Sequence, residues 1–240
     1  MDQPRVSILI PIHNCEKTLR RSLDSIYNQE GFADFEIIAV LNNCNDRSES
    51  ILLEYNNKHF QHMKILKCTE AGIVPTLNTG IPHCRADVIA RMDGDDYWYP
   101  TKLKKQWSFL KENPGVDIVG TQLRQVDGNG NPIDASLVHP LTDIEIKNKL
   151  LSGYNSIVHP SVVFRKRIFL RAGTYDDHYR FAEDYHFWLK CCKWYKFANL
   201  DEVLIDYTVW HNSEYDPSIV NHVKNIMTYL YQNTGLSVEG

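Results

Sequence analysis

Residues 6–14 read VSILIPIHN, residues 36–46 read EIIAVLNNCND, and residues 88–96 read VIARMDGDD. Each is a short apolar run that ends in a polar turn. A strand buried on both faces of a sheet reads this way, because neither face alternates with water. Helical spacing fills the gaps. Leu19, Leu23 and Ile26 recur at three to four residues within Cys15 to Gln29, and Ile51, Leu52 and Tyr55 do so in a helix that starts near Ser48. Met63 to Cys68 reads as a further strand, and Val74 to Cys84 as the helix before Val88 to Met92. Strands joined by crossovers of this length lie parallel, so the order predicts an α/β fold with a doubly wound, mostly parallel sheet flanked by helices. Ligands of such sheets bind at the carboxyl ends of the strands. Here those ends are Pro11 to Asn14, Leu41 to Asn43 and Asp93 to Asp96.

Beyond residue 99 the pattern changes. Pro100 to Asn113 is an amphipathic helix closed by Pro114 and Gly115. Asp117 to Val126 and Ile133 to Val138 read as strands joined by a turn at Asp127 to Pro132. Helices are expected at Asp143 to Leu151 and Ala182 to Trp194, and strands at Ser161 to Arg165 and Val203 to Val209. Pro217 to Gln232 reads as a closing amphipathic helix, with Val220, Val223, Ile226, Met227 and Leu230 on one face. That face packs on the second lobe, pairs with another subunit in a homodimer, or makes a peripheral membrane contact. No Gly/Ser linker divides the chain. The expectation is a single domain over 1–240: a first lobe (1–99), a second lobe (100–216) and a C-terminal helix (217–240).

The 240 residues are 43% hydrophobic and 23% charged, which excludes a disordered or collagen-like chain. The net charge of −4 argues against holding nucleic acid by bulk charge. No apolar run approaches the ~20 residues of a membrane span, and Met1 to Arg5 shows no secretory leader. A cytoplasmic location is expected. Cys15, Cys44, Cys68, Cys84, Cys191 and Cys192 follow no zinc spacing and read as reduced thiols.

The run from Asp93 to Asp96 puts three carboxylates within four residues. Such a cluster is either a solvated turn or a site for a hard divalent cation beside a diphosphate. Glu183 and Asp184 open a helix, where the macrodipole favours carboxylates and keeps them ionised; the chemical alternative is a general base. His211 follows a strand, as a surface residue or a metal ligand. His13, His159 and His186 taken singly read as ordinary packed or surface residues. Neither G-x-G-x-x-G nor G-x-x-x-x-G-K-[ST] occurs, which removes the usual dinucleotide and P-loop readings.

Taken together the sequence resembles the family 2 glycosyltransferases of the GT-A fold. VSILIPIHN resembles their opening strand and nucleotide-contacting turn, and EIIAVLNNCNDRS their second strand and base-reading loop. The run from Gly72 to Gln106 resembles the segment carrying their D-x-D motif. HPSVVFRKR (159–167), GTYDDHYRFAEDYHFWLK (173–190) and the strand before His211 follow in the family's order. The resemblance implies an inverting, metal-dependent transfer of a sugar from a nucleotide sugar, a UDP-sugar by preference, to a hydroxyl of a glycan or other acceptor. It implies Mn2+ or Mg2+ on Asp95, with Asp93 and His211 in or near the metal shell. It implies Asp184 as general base, with Glu183 beside it. Pro11, His13, Asn14 and Glu16 would line the nucleoside pocket, Asn42 would meet the base, and Arg91, Asp93 and Gly94 would join the nucleotide-sugar contacts. Two departures stand out: Leu41-Asn42 stands where many members carry Asp-Asp or Asp-Asn in the base-reading loop, and His13 replaces the family's usual aromatic. The absence of Q-x-x-R-W after Asp184 implies single rather than processive transfer. A nucleotidyltransferase lacks support because the first loop, IPIHNCEK, has no glycine. The other competing reading is a catalytically degenerate sugar-nucleotide-binding protein, motivated by Asn42.

Overall fold

The computed structural model describes residues 3–59, 62–133 and 138–210. The first half runs β1 (Val6–Ile12), α1 (Leu19–Tyr27), β2 (Phe35–Asn42), α2 (Ser48–Lys58), β3 (Met63–Cys68), α3 (Ile73–Gly80) and β4 (Val88–Arg91). The second runs β5 (Tyr97–Trp98), α4 (Lys102–Glu112), β6 (Ile118–Val126), α5 (Asp143–Leu151), β7 (Val163–Arg165), α6 (Phe169–Ala172), α7 (Glu183–Cys192) and β8 (Phe197–Thr208). The described strands form a single sheet in the order β3-β2-β1-β4-β7-β6-β8-β5. The pairs β3–β2, β2–β1 and β1–β4 are parallel, as the crossover pattern requires. Beyond β4 the sheet is mixed: β7 is antiparallel to both β4 and β6, β8 is parallel to β6, and β5 is antiparallel to β8.

The apolar runs fill both faces of this sheet. Ile8, Ile10, Ile37 and Ala39 pack with Leu19, Leu23, Trp98 and Leu103 on one side. Leu9, Ile38 and Val40 pack with Leu77, Phe164, Phe187 and Trp188 on the other. Successive residues of one strand thus enter opposite cores, which is why the runs show no alternation. Helix α3 lies so close to the sheet that a Cβ on Gly80 would fall 2.3 Å from Leu9 Cδ1.

Several expectations shift. Helix α1 begins at Leu19 rather than Cys15; residues 16–18 form a turn leading into it, tied to the loop after β2 by Cys15 N donating to Ser48 Oγ at 2.9 Å and Glu16 N to Asp46 Oδ2 at 2.9 Å. The turn at Asp127 forms, with Asp127 Oδ1 accepting from Asn129 N and Asn131 N. Val126 and Pro132 form a bridge across it, and the expected return strand at Ile133 to Val138 lies largely outside the described residues. Strand β8 starts six residues before the expected Val203; the exposed Asp201 and Glu202, beside a register shift in β6, hide its apolar pattern. All six cysteines are unpaired. No helix among the described residues is long and apolar enough to cross a membrane. His211 and the expected helix at 217–232 lie outside the described residues.

Candidate active site

Because β1, β2 and β4 are parallel, the turns after them share one edge. Past β4, Met92 N still bonds Leu9 O at 3.1 Å, and the chain then turns back, with Asp96 N donating to Asp93 O at 3.4 Å. The acidic segment is therefore a turn. Gly94 allows it to pass Cys15, whose Sγ would lie 2.9 Å from an added Cβ. Side chains of the first helical layer hold its carbonyls: Thr18 Oγ1 donates to Gly94 O at 2.9 Å, Arg21 Nη2 to Asp95 O at 2.7 Å, and Ser22 Oγ to Asp96 O at 2.6 Å.

The turn gathers three carboxylates rather than the expected two. Oxygens of Asp93, Asp95 and Asp96 lie within 4.8 Å of one another. Asp93 pairs with the buried Arg91 guanidinium. Asp95 Oδ2 accepts from Trp210 Nε1 at 2.8 Å, and Asp96 Oδ1 from Thr208 N at 2.8 Å. Burial and then the Asp93 charge push the Asp95 carboxyl above its usual range. Asp96 is pushed well above it by burial, Asp93 and Asp95. The guanidiniums of Arg91 and of Arg21, which meets Asp95 at its backbone carbonyl, do not neutralise three carboxylates, and the buried Asp96 Oδ2 has no hydrogen-bond partner among the described residues. An all-oxygen donor set with unsatisfied negative charge fits a hard divalent cation.

Two cavities meet at this turn. The first, about 570 Å3, is lined by Pro11, His13, Cys15, Asn42, Gly72, Asp93, Gly94, Asp95 and Arg180. Asn14 and Glu16 stand beside it and brace the loop after β2: Asn14 Oδ1 accepts from Asn45 N at 2.9 Å and Glu16 Oε2 from Arg47 N at 3.1 Å. His13 Nδ1 lies 2.7 Å from Asn42 O; a carbonyl only accepts, so Nδ1 carries the proton. The Asn42 amide donates to Cys68 O at 3.3 Å and Glu70 O at 2.5 Å, and its oxygen accepts from Gly72 N at 3.1 Å. An aspartate cannot make the two donor contacts, so Asn42 specifically ties down the loop after β3, and its Oδ1 keeps one lone pair for a ligand.

The second cavity, about 540 Å3, is lined by Arg91, Asp93, His139, Asn155, Phe181, Glu183, Asp184 and Tyr207, among others. Arg91 therefore faces this cavity, and Asp93 lines both. Helix α7 enters through Phe181, whose φ of 71° is unusual for a bulky residue. Asp184 Oδ1 accepts from Tyr185 N at 2.7 Å and Oδ2 from Asn155 Nδ2 at 2.8 Å. The helix dipole alone would keep Asp184 readily ionised, but burial outweighs it and the hydrogen bonds, so its carboxyl is raised above the ordinary range. Glu183 is raised to about 7, by burial first and the Asp184 charge second.

His159 and His186 serve packing: His159 Nε2 lies 2.8 Å from Tyr175 Oη, and His186 stacks on Tyr179 with ring centroids 3.8 Å apart. Sequence reasoning gave no role to Asp96, His139, Asn155, Arg180 or Trp210. Only Asp96 carried a local signal, its place in the acidic run.

The model of the family described as glycosyl transferase family 2 matches residues 7–172. An uncharacterized glycosyltransferase of Methanocaldococcus jannaschii is 30% identical over 234 residues, covering 96% of this chain and 78% of that one. The O-antigen biosynthesis glycosyltransferase WbnJ of Escherichia coli is 30% identical over 211 residues, covering 87% of this chain and 81% of that one. Among solved structures, S. aureus TarS in complex with UDP-GlcNAc superposes with a TM-score of 0.77 at 20% identity, covering 98% of this chain and 68% of that one. Mannosyltransferase PcManGT from Pyrobaculum calidifontis, in complex with GDP-Man and Mn2+, gives 0.68 at 19% identity, covering 89% of this chain and 59% of that one. The structures establish the GT-A fold and the family match establishes the lineage: the chain is a glycosyltransferase and belongs to glycosyl transferase family 2.

Proposed function

We propose that this chain, as one transferase domain, moves a sugar from a nucleoside-diphosphate sugar, a UDP-sugar by preference, to an acceptor hydroxyl during glycan assembly, with inversion at the anomeric carbon. The observation that carries this reading is Asp93, which lines both cavities and so joins a donor side to an acceptor side. Glycan assembly is supported by WbnJ and by the amylovoran biosynthesis glycosyltransferase AmsE of Erwinia amylovora, 29% identical over 203 residues. A nucleotide sugar is supported by the UDP-GlcNAc and GDP-Man in the two superposed structures.

Pro11, His13 and Asn42 border the nucleoside in the first cavity, and Arg180 supplies a cation at its wall. Asp93, Asp95 and Asp96 would hold a Mn2+ or Mg2+ ion, with His211 as a further candidate ligand; when bound, the ion would supply Lewis-acid stabilisation of charge on the departing diphosphate. Asp184, fixed by Asn155 and the Tyr185 amide, takes the proton of the acceptor hydroxyl from the second cavity. Attack from that side and departure toward the first cavity amount to a single displacement, which inverts configuration. Glu183 borders the same hydroxyl and carries its proton up to about pH 7. Release of nucleoside diphosphate from a panel of UDP- and GDP-sugars, with and without glycoside acceptors, tests the reading. Acceptor-stimulated release supports transfer, whereas binding without release under any condition supports the degenerate binding protein.

A further inference from the structure

Buried polar atoms without partners are rare in folded proteins, and each calls for an explanation. Arg91 Nε, both ring nitrogens of His139, Asn155 Oδ1 and Glu183 Oε2 are shut off from solvent with no hydrogen-bond partner among the described residues. All belong to residues lining the second cavity. Their convergence on one space points to a ligand rich in hydroxyls rather than to scattered packing defects.

His139 is the most telling of them. It is 3% exposed. Its backbone is clamped from both sides by one amide: His139 N donates to Gln122 Oε1 at 2.8 Å, and Gln122 Nε2 donates to His139 O at 2.9 Å. The imidazole is thus held in place while both its nitrogens stay unused among the described residues. Burial lowers its proton affinity, so the ring is neutral and offers one donor and one acceptor. Adjacent hydroxyls of a sugar ring match such a pair. Tyr154 lies beside it, with ring centroids 6.4 Å apart, and presents an aromatic surface to the same cavity. The charge balance narrows the ligand further. Asp93, Glu183 and Asp184 face the cavity, and its guanidinium, Arg91, is already paired with Asp93. Three carboxyl groups against one guanidinium among the described lining residues disfavour an acidic substituent.

We propose that His139 is the specificity-determining residue of the acceptor side, hydrogen-bonding hydroxyls of a neutral pyranose unit whose reactive hydroxyl lies at Asp184. The inference rests on the transferase reading of the site.

The test is NMR of the imidazole signals in the full chain carrying UDP and Mg2+. The probes are methyl glycosides of glucose, galactose and mannose, with galacturonate and glycerol 3-phosphate as anionic counterparts. His139→Gln assigns the signal. The expected result is that the His139 signal moves with at least one neutral glycoside and with neither anion, and that His139→Gln binds that glycoside at least tenfold more weakly. An unmoved His139 signal, movement with the anions alone, or unchanged glycoside affinity in His139→Gln overturns the proposal. If His139→Gln does not fold, His139→Asn supplies the assignment and the wild-type shifts decide. UDP release from the panel of UDP-sugars, with and without the bound glycoside, is recorded in parallel on the wild type: a moving His139 signal with no release under any of these conditions overturns the transferase reading instead.

Discussion

Asn155 Nδ2 donates to Asp184 Oδ2 at 2.8 Å, across 29 residues of chain, and so aims the other lone pairs of that carboxylate at the cavity beside Asp93. Asp184→Asn keeps the size but removes the proton acceptor. It should lower kcat by roughly 10²–10⁴-fold, the range of a general base, and leave donor affinity nearly unchanged. Asn155→Ala removes a hydrogen bond that favours the ionised form. Its kcat should fall by roughly 10–100-fold, and the acid limb of its pH–rate profile should move to higher pH. Steady-state kinetics with donor affinity measured by calorimetry checks both variants.

Trp210 Nε1 bonds Asp95 Oδ2, so in the proposed site Oδ1 is the oxygen that would face a cation. Trp210→Phe removes that orienting contact. Mn2+-dependent nucleotide affinity should weaken by roughly 10–100-fold, the usual effect of losing an outer-shell partner. Asp95→Ala should weaken it further while its melting temperature stays at or above the wild-type value, because a crowded buried carboxylate has gone. Calorimetric titration with UDP and Mn2+ gives the affinities.

Glu183 makes stability depend on pH. Its carboxyl is raised to about 7 in the fold, from an ordinary value of 4.5. The native state therefore holds a proton that the unfolded chain releases. The stabilisation is full below about pH 4.5 and is lost as pH rises to about 7, with a slope of about 1.4 kcal/mol per pH unit between. Glu183→Gln should remove this slope. Urea melts of both proteins at pH 5, 6 and 7 (roughly one slope step per unit) should converge toward acid and separate toward neutrality, with the variant the more stable.

Lys102 has the opposite sign. It is fully buried, with Nζ donating to Gln106 Oε1 at 2.8 Å and lying 4.1 Å from the Trp98 ring centroid. Burial without a carboxylate partner holds its ammonium well below the usual range. The unfolded chain binds this proton and the native state does not, so stability rises with pH until the unfolded lysine itself titrates. Relative to Lys102→Met, the wild type should gain about 1.4 kcal/mol per pH unit over the alkaline approach to that point. Equal slopes for the two proteins would contradict the burial argument.

How far the sequence discloses this molecule follows from which contacts are local. Strands β1 and β2 are buried on both faces and leave unbroken apolar runs, so the parallel half of the sheet is legible. Strand β5 has two residues and no periodicity at all, and β8 is masked by the outward-facing Asp201 and Glu202. The site divides in the same way. Asp93, Asp95 and Asp184 stand in motifs whose order carries the family resemblance. Trp210 reaches Asp95 across 115 residues, and Gln122 fixes His139 from a neighbouring strand; nothing in the local sequence marks either contact.

In the proposed reaction the acidic turn works through a divalent cation to release a nucleoside diphosphate. Its most direct test is UDP release from a panel of UDP-sugars by the full chain, measured in Mn2+, after removal of metal with excess EDTA, and after Mn2+ is restored. The expected result is release that disappears with the chelator and returns with the metal, and that is absent throughout in Asp95→Ala. Undiminished release by verified metal-free protein would contradict it.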